Sequence, residues 1–180
     1  MDTSLDTQQP GAGVSPQAYN EPKLLALLDS LGIAYTYEAH EAVMTVEESR
    51  AVRKTLTGSL CKCLFLQNKN NLWLVAVLAD ARVDLKRLGQ SLESGRLSFA
   101  SAERMRECLG VSPGSVTVLA AVNDTNNLVT IVLDEKLLAA ERLLFHPLVN
   151  TASVGMTPED LLSFLRYTRH CPEIFKTIAS

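Results

Sequence analysis

Leu24, Leu25, Leu27, Leu28 and Leu31 recur at helical spacing behind Asn20, a good N-cap, with Glu21-Pro22 at helix-start positions and Gly32 to close. The alternation over 33–38 predicts a strand. Thr45-Val46-Glu47-Glu48 is a capping box, predicting a helix from there to about Leu56. Residues 59–67 and 72–79 read as strands joined by the turn Asn68-Lys69-Asn70-Asn71, hence a hairpin. Asp84 and Ser101 cap two more helices, ending near Leu92 and at Gly110. A second hairpin is predicted from 116–122 and 128–133 around Asn123-Asp124-Thr125-Asn126-Asn127. Asp134 caps a short helix, 143–145 is a short strand, and Thr157-Pro158-Glu159-Asp160 opens a last helix reaching about Thr168. Hairpins mixed with scattered helices predict an α+β fold with a mixed, largely antiparallel sheet surrounded by helices.

The polar stretch 1–20, rich in Gln, Ser, Gly and Pro, is expected to be a disordered tail, and 21–180 a single domain. A chain of 180 residues, 47% hydrophobic, builds a core without disulfides or structural metal. The net charge of −3 excludes gripping nucleic acid by bulk charge, though not a local basic patch. The longest apolar run, 72–79, is too short to cross a bilayer. Met1-Asp2-Thr3-Ser4 carries no signal-peptide pattern, so a cytoplasmic protein with reduced thiols is expected. Cys61, Cys63, Cys108 and Cys171 match no zinc spacing, and no metal is expected.

Lys62 is the oddest residue. A period of two puts Leu60, Lys62, Leu64 and Leu66 on one face, leaving a lysine among leucines. Such a lysine either snorkels to solvent or reaches a carboxylate or ligand. His146, at the end of an apolar strand, either binds a ligand or caps backbone groups, with Asn150 and Thr151 close behind. His40 lies in a loop. His170 follows the last helix, where it complements the dipole, and is read as structural. The loop Gly110-Val111-Ser112-Pro113-Gly114-Ser115 offers backbone donors suited to an oxyanion, or is a plain turn. Arg50, Arg53 and Lys54 are placed on one face of the second helix, either solvated or touching phosphates.

Several motifs then fall in a recognisable order: Ser59-Leu60-Cys61-Lys62-Cys63-Leu64-Phe65-Leu66, Gly95-Arg96-Leu97-Ser98-Phe99-Ala100, Leu109-Gly110-Val111-Ser112-Pro113-Gly114-Ser115-Val116-Thr117, Phe145-His146-Pro147-Leu148-Val149-Asn150-Thr151-Ala152 and Thr157-Pro158-Glu159-Asp160-Leu161-Leu162. Over about 21–174 the chain resembles the YbaK/ProX family of aminoacyl-tRNA deacylases, the prolyl-tRNA synthetase-associated domain. Its nearest subgroup is the free-standing alanyl-tRNA(Pro) editing proteins.

The resemblance implies a YbaK-like fold and cofactor-free, metal-free hydrolysis of mischarged tRNA in translation fidelity. The family's active lysine falls on Lys62, its pocket histidine on His146, and its glycine-proline loop begins at Gly114. Substrate contacts are then expected from Gly114, Ser115, Val118, His146, Asn150 and Cys63, and weak tRNA contacts from Arg50, Arg53 and Lys54. The expected partners are the acceptor end of tRNA(Pro) and prolyl-tRNA synthetase, with neither a membrane nor DNA. The chain departs from the family at Val118, which replaces the loop proline, at Cys63, which replaces an asparagine, and at Leu60-Cys61, which replaces a His-Thr pair. Alternatives are therefore a deacylase for another small aminoacyl-tRNA, or a non-catalytic tRNA- or synthetase-associated module.

Overall fold

A computed structural model describes residues 18–176. Most of the expected tail, 1–17, lies outside the described residues, as do 177–180. The tail's expected end is held: Tyr19 N–H donates to Asn123 Oδ1 at 2.7 Å, and Asn20 caps the first helix.

The caps read from the sequence set the helix starts. Helix α1 (Glu21–Ser30) begins with Asn20 accepting from Lys23 N–H. Helix α2 (Val46–Val52) opens with the full Thr45–Glu48 capping box. Helices α3 (Leu85–Ser91) and α4 (Ala102–Leu109) begin at Asp84 and Ser101. The short α5 (Glu135–Leu138) follows Asp134, and α6 (Pro158–Tyr167) follows Thr157. Helix α2 stops four residues before the expected Leu56. The N–H groups of Lys54, Thr55 and Leu56 donate instead to the Glu38 carboxylate, at 2.8, 3.2 and 2.9 Å. Those three bonds pull the Glu38 pKa down to about 2.

The strands are β1 (Thr36–Ala39), β2 (Ser59–Gln67), β3 (Leu72–Leu78), β4 (Ser98–Phe99), β5 (Val129–Asp134), β6 (Leu143–Phe145), β7 (Ala152–Met156) and β8 (Glu173–Phe175). They form one sheet in the order β1-β7-β6-β2-β3-β5-β8, with β4 also on β2. The pairs β2–β3, β2–β4, β6–β7 and β1–β7 are antiparallel, whereas β2–β6, β3–β5 and β5–β8 are parallel. The fold is α+β with a mixed sheet. Apolar clusters cover both faces of its centre. Leu72, Leu74 and Ala76 join the larger cluster with α1, α4 and α6, while Trp73, Val75 and Val77 join the smaller one with Leu88 and Leu97. This two-sided burial explains why β3 reads as a continuous apolar run rather than an alternation.

The second predicted hairpin does not form. Residues Val118–Asn123 make a 3-10 helix, started by Thr117 Oγ1 accepting from Leu119 N–H. Every residue from Val118 to Val122 is buried, so no exposed strand face exists. Both edges of β5 are occupied by β3 and β8. The intended turn residue Asp124 has another role. Its carboxylate accepts from Leu128 N–H (2.9 Å), Val129 N–H (2.8 Å) and His170 Nε2 (3.2 Å). His170 is thus structural, as expected, but through a buried partner rather than a helix dipole. Burial opposes ionisation of Asp124, yet these hydrogen bonds keep its pKa below the ordinary carboxylate value.

Removing the Asp124 carboxylate leaves the buried Val129 N–H and the buried His170 ring without their acceptor. Asp124→Ala is expected to lower folding stability by about 3 kcal/mol, measured by urea unfolding at neutral pH. A loss below about 0.5 kcal/mol, the scale of an ordinary surface substitution, would show that the clamp contributes nothing.

Candidate active site

The site forms where the sheet parts beside β2. Strand β6 pairs only with Ser59 and Leu60, and β4 only with Leu66 and Gln67, so no strand pairs with Cys61–Phe65 on that edge. Ser59 N–H reaches Arg142 O and Phe65 O accepts from Ala100 N–H on this same edge. Cys63 is in phase with them, so its backbone groups, together with the Cys61 carbonyl, turn into the gap. A cavity of about 220 Å³ lies there, its wall including Ser49, Arg53, Cys61, Lys62, Cys63, Gly114 and His146.

Lys62 is half-buried, and its Nζ donates to Ala81 O at 2.6 Å. The expected leucine face is real: Leu64 and Leu66 belong to the smaller apolar cluster, and the ammonium has a backbone acceptor there. Cys63 points the other way, against the larger cluster, as a regular strand requires. Burial pushes its thiol up to about 12, while Val118 N–H donates to the sulfur. Burial raises Cys61 further still. Both thiols are therefore protonated and unreactive at neutral pH.

Gly114 needs to be glycine. Its φ is +90°, and a Cβ there would lie 2.8 Å from Met44 Sδ. Met44, 65% exposed, lies across the cavity's rim. Asn150 secures that rim by donating to Val43 O at 3.0 Å. It stands beside the cavity without lining it. Ser115 N–H closes a turn onto Ser112 O, and its side chain is outside the wall. Val118 is fully buried and reaches the cavity only through Cys63.

The loop after β6 delivers His146. Its Nδ1 lies 3.0 Å from Ala152 O, so the ring donates there and Nε2 is left as an acceptor. Burial lowers its pKa, the Ala152 carbonyl opposes this, and the Arg53 charge lowers it further. His146 is consequently neutral near pH 7.

Sequence reasoning missed the neighbours of His146. Past Ala39, the β1–β7 ladder is extended by His40 N–H to Thr151 O and Val43 N–H to Asn150 O. His40 therefore comes to lie with its ring centroid 6.1 Å from that of His146. Its Nε2 is 2.9 Å from Ser153 Oγ, which also accepts from Arg53 Nε at 3.0 Å. No local signal could have indicated this, because β7 was itself missed: Ala-Ser-Val-Gly-Met is buried at every position and lacks alternation.

The three basic residues placed on α2 do not share a face. The helix ends at Val52, before Arg53 and Lys54. Arg50 pairs with Asp80 at 2.6 Å in the open, Lys54 is exposed, and only Arg53 enters the cavity wall. Burial lowers the Arg53 pKa, against the pull of Glu38. Among the described residues, no three His, Cys, Asp or Glu side chains are grouped to hold a metal, and no helix is long and apolar enough to cross a membrane.

A cavity at the split sheet edge thus brings together a lysine, a neutral histidine and a glycine-containing loop. The aminoacyl-tRNA editing domain model matches residues 40–164, which include all of these elements. The chain belongs to the aminoacyl-tRNA editing domain family. It is 42% identical over 158 residues to prolyl-tRNA synthetase associated domain-containing protein 1 of Xenopus laevis, covering 84% of this chain and 94% of that protein. It is 34% identical over 140 residues to the prolyl-tRNA editing protein ProX of Acetoanaerobium sticklandii, covering 77% and 85%. A crystal structure described as a proposed trans-editing enzyme for prolyl tRNA synthetase superposes with a TM-score of 0.67 at 21% identity, covering 93% of this chain and all of that one, and confirms the fold.

The histidine assignment predicts a titration. The ring of His146 should titrate below the ordinary value of 6.5, followed through its side-chain ¹⁵N shifts. A folded-state pKa below the unfolded one means fewer bound protons in the folded protein. The stability tied to neutral His146 is thus complete above about pH 6.5 and declines as pH falls through and below it. A midpoint at or above 6.5 would contradict the assignment.

Proposed function

We propose that this protein is a trans-editing hydrolase that removes the amino acid from mischarged tRNA, with alanyl-tRNA(Pro) as the preferred substrate. The observation that carries this reading is the meeting of Lys62, Gly114 and His146, from three distant segments, around one small cavity. The relative named as a prolyl-tRNA editing protein supports the substrate class.

An aminoacyl ester is already activated, so the site needs only to position water or a ribose hydroxyl and stabilise the oxyanion. His146 Nε2 accepts a hydrogen bond from the attacking water and takes its proton as the water oxygen bonds to the ester carbon, a ribose hydroxyl serving only to orient that water. Lys62 donates to the carbonyl oxygen or holds the sugar end, exchanging its bond to Ala81 O for one to substrate. The N–H groups of the loop at Gly114 orient the ester. As the C–O bond breaks, the proton passes from His146 to the ribose oxygen that leaves. Val43, Cys63, Val116 and Phe145 give the cavity an apolar wall against which a small side chain such as that of alanine would pack. Arg50 and Lys54 supply basic contacts to the tRNA body, Arg53 faces the terminal nucleotide from the cavity wall, and prolyl-tRNA synthetase is the proposed partner. The proposed place of action is the cytoplasm.

Single-turnover deacylation across alanyl-, seryl-, glycyl- and prolyl-tRNA(Pro) should be fastest with alanine; a panel with no hydrolysis would leave a binding module. Lys62→Ala should lower the alanine rate by a factor on the order of 100 or more, with its circular dichroism and melting unchanged. Wild-type rates in that variant would remove Lys62 from the mechanism.

The proposed reaction needs no metal. Exhaustive chelation, with metal content measured on the same sample, should leave the rate unchanged. Loss of activity together with a stoichiometric metal would contradict this.

A further inference from the structure

Two residues of the cavity wall each carry an unmatched, buried polar atom. Ser49 Oγ and Arg53 Nη2 are both buried without a hydrogen-bond partner among the described residues. Ser49 is only 3% exposed, and both residues line the cavity. Buried donors left unsatisfied are costly, the more so on a charged group.

Arg53 is nevertheless held in place. Its Nε–H donates to Ser153 Oγ, and Ser153 is fully buried on β7. The single hydroxyl proton of Ser153 then goes to His40 Nε2, while His40 Nδ1–H donates to Glu41 O at 2.7 Å. This relay fixes the guanidinium through one nitrogen and leaves Nη2 uncommitted. The wall carries two cations, Arg53 and Lys62, and no aspartate or glutamate. In a chain with a net charge of −3, that concentration is not a reflection of composition. Uncommitted donors in a cationic cavity fit an anion, and a guanidinium with a hydroxyl fits phosphate oxygens.

We propose that Ser49 and Arg53 form a phosphate seat inside the cavity, taking the 5′-phosphate of the nucleotide whose ribose carries the ester. The proposal rests on the aminoacyl-ester reading. A nucleotide's ester-bearing hydroxyl and its own 5′-phosphate are one ribose apart, so an ester held at Lys62 and His146 brings that phosphate to the neighbouring wall. The seat ties recognition of the ester to recognition of the nucleic-acid end, and discriminates against esters that lack a nucleotide.

The test is NMR titration of the intact protein with 5′-AMP, adenosine and inorganic phosphate, for wild type, Ser49→Ala, Arg53→Gln and Arg53→Lys. AMP should bind wild type about tenfold or more tightly than adenosine. Arg53→Gln should remove that difference without weakening adenosine, Ser49→Ala should reduce it, and Arg53→Lys should restore only part. The amide spectrum reports folding of each variant, and Ser49→Ala serves if Arg53→Gln does not fold. Equal binding of AMP and adenosine, no binding of AMP, or AMP affinity unchanged in both Ser49→Ala and Arg53→Gln would overturn the seat. Inorganic phosphate binding as tightly as AMP would overturn its assignment to a nucleotide. An Arg53-dependent preference for AMP without hydrolysis of any ester would sink the hydrolase reading and leave the seat standing.

Discussion

The site depends on a gap in a hydrogen-bond ladder. Strand β2 is paired along its inner edge, from Cys61 to Gln67, by β3, yet its outer edge is shared between β6 at one end and β4 at the other. Backbone groups between them must find other partners or face a cavity, because buried backbone is not left unsatisfied at random. The Gly114 loop, the end of β6 and the start of α2 gather around this opening. Lys62 and Cys63 sit at the gap because the strand is held rigid on one side and open on the other.

The electrostatics follow from the same layout. Acidic residues near the site are engaged elsewhere: Glu38 receives three backbone N–H groups, Glu48 caps α2, and Asp80 meets Arg50 outside. Their charges do not line the cavity. The two histidines next to it have carbonyl acceptors for one nitrogen each, at Glu41 and Ala152. The result is a pocket with two basic side chains and a neutral imidazole in its wall, an arrangement that fits the proposed ester of a polyanion.

Local signals were legible in the sequence wherever one side chain decides the structure. Asn20, Thr45, Asp84, Ser101, Asp134 and Thr157 each start a helix where their capping chemistry predicts. Strand β2 has the predicted bounds, and Lys62 among leucines was visible as an anomaly of period two. What failed was decided at long range. The 3-10 helix at Val118 replaces a strand because burial on all sides cancels the alternation that would distinguish them. Strand β7 carries Ser153 and orders Arg53 and His40, but its glycine and small residues give little strand signal. Arg53 and Lys54 looked like helix-face residues because the competing acceptor, Glu38, is distant in the chain. The family resemblance singled out Lys62, Gly114 and His146, which line one cavity, where periodicity alone left alternatives open.

The split edge of β2 also bears on how the chain is made. The hairpin of β2 and β3 is local and can form early, whereas β6 and β7 follow some eighty residues later, and loop closure over such distances slows assembly. Until β6 arrives, a growing chain shows an unpaired, leucine-rich strand edge of the kind that recruits other strands. Within it, Lys62 interrupts the apolar run with a charge, as gatekeeper residues do in aggregation-prone segments. The lysine proposed for the chemistry thus also puts a charge on the one edge where an incomplete chain would otherwise favour self-association.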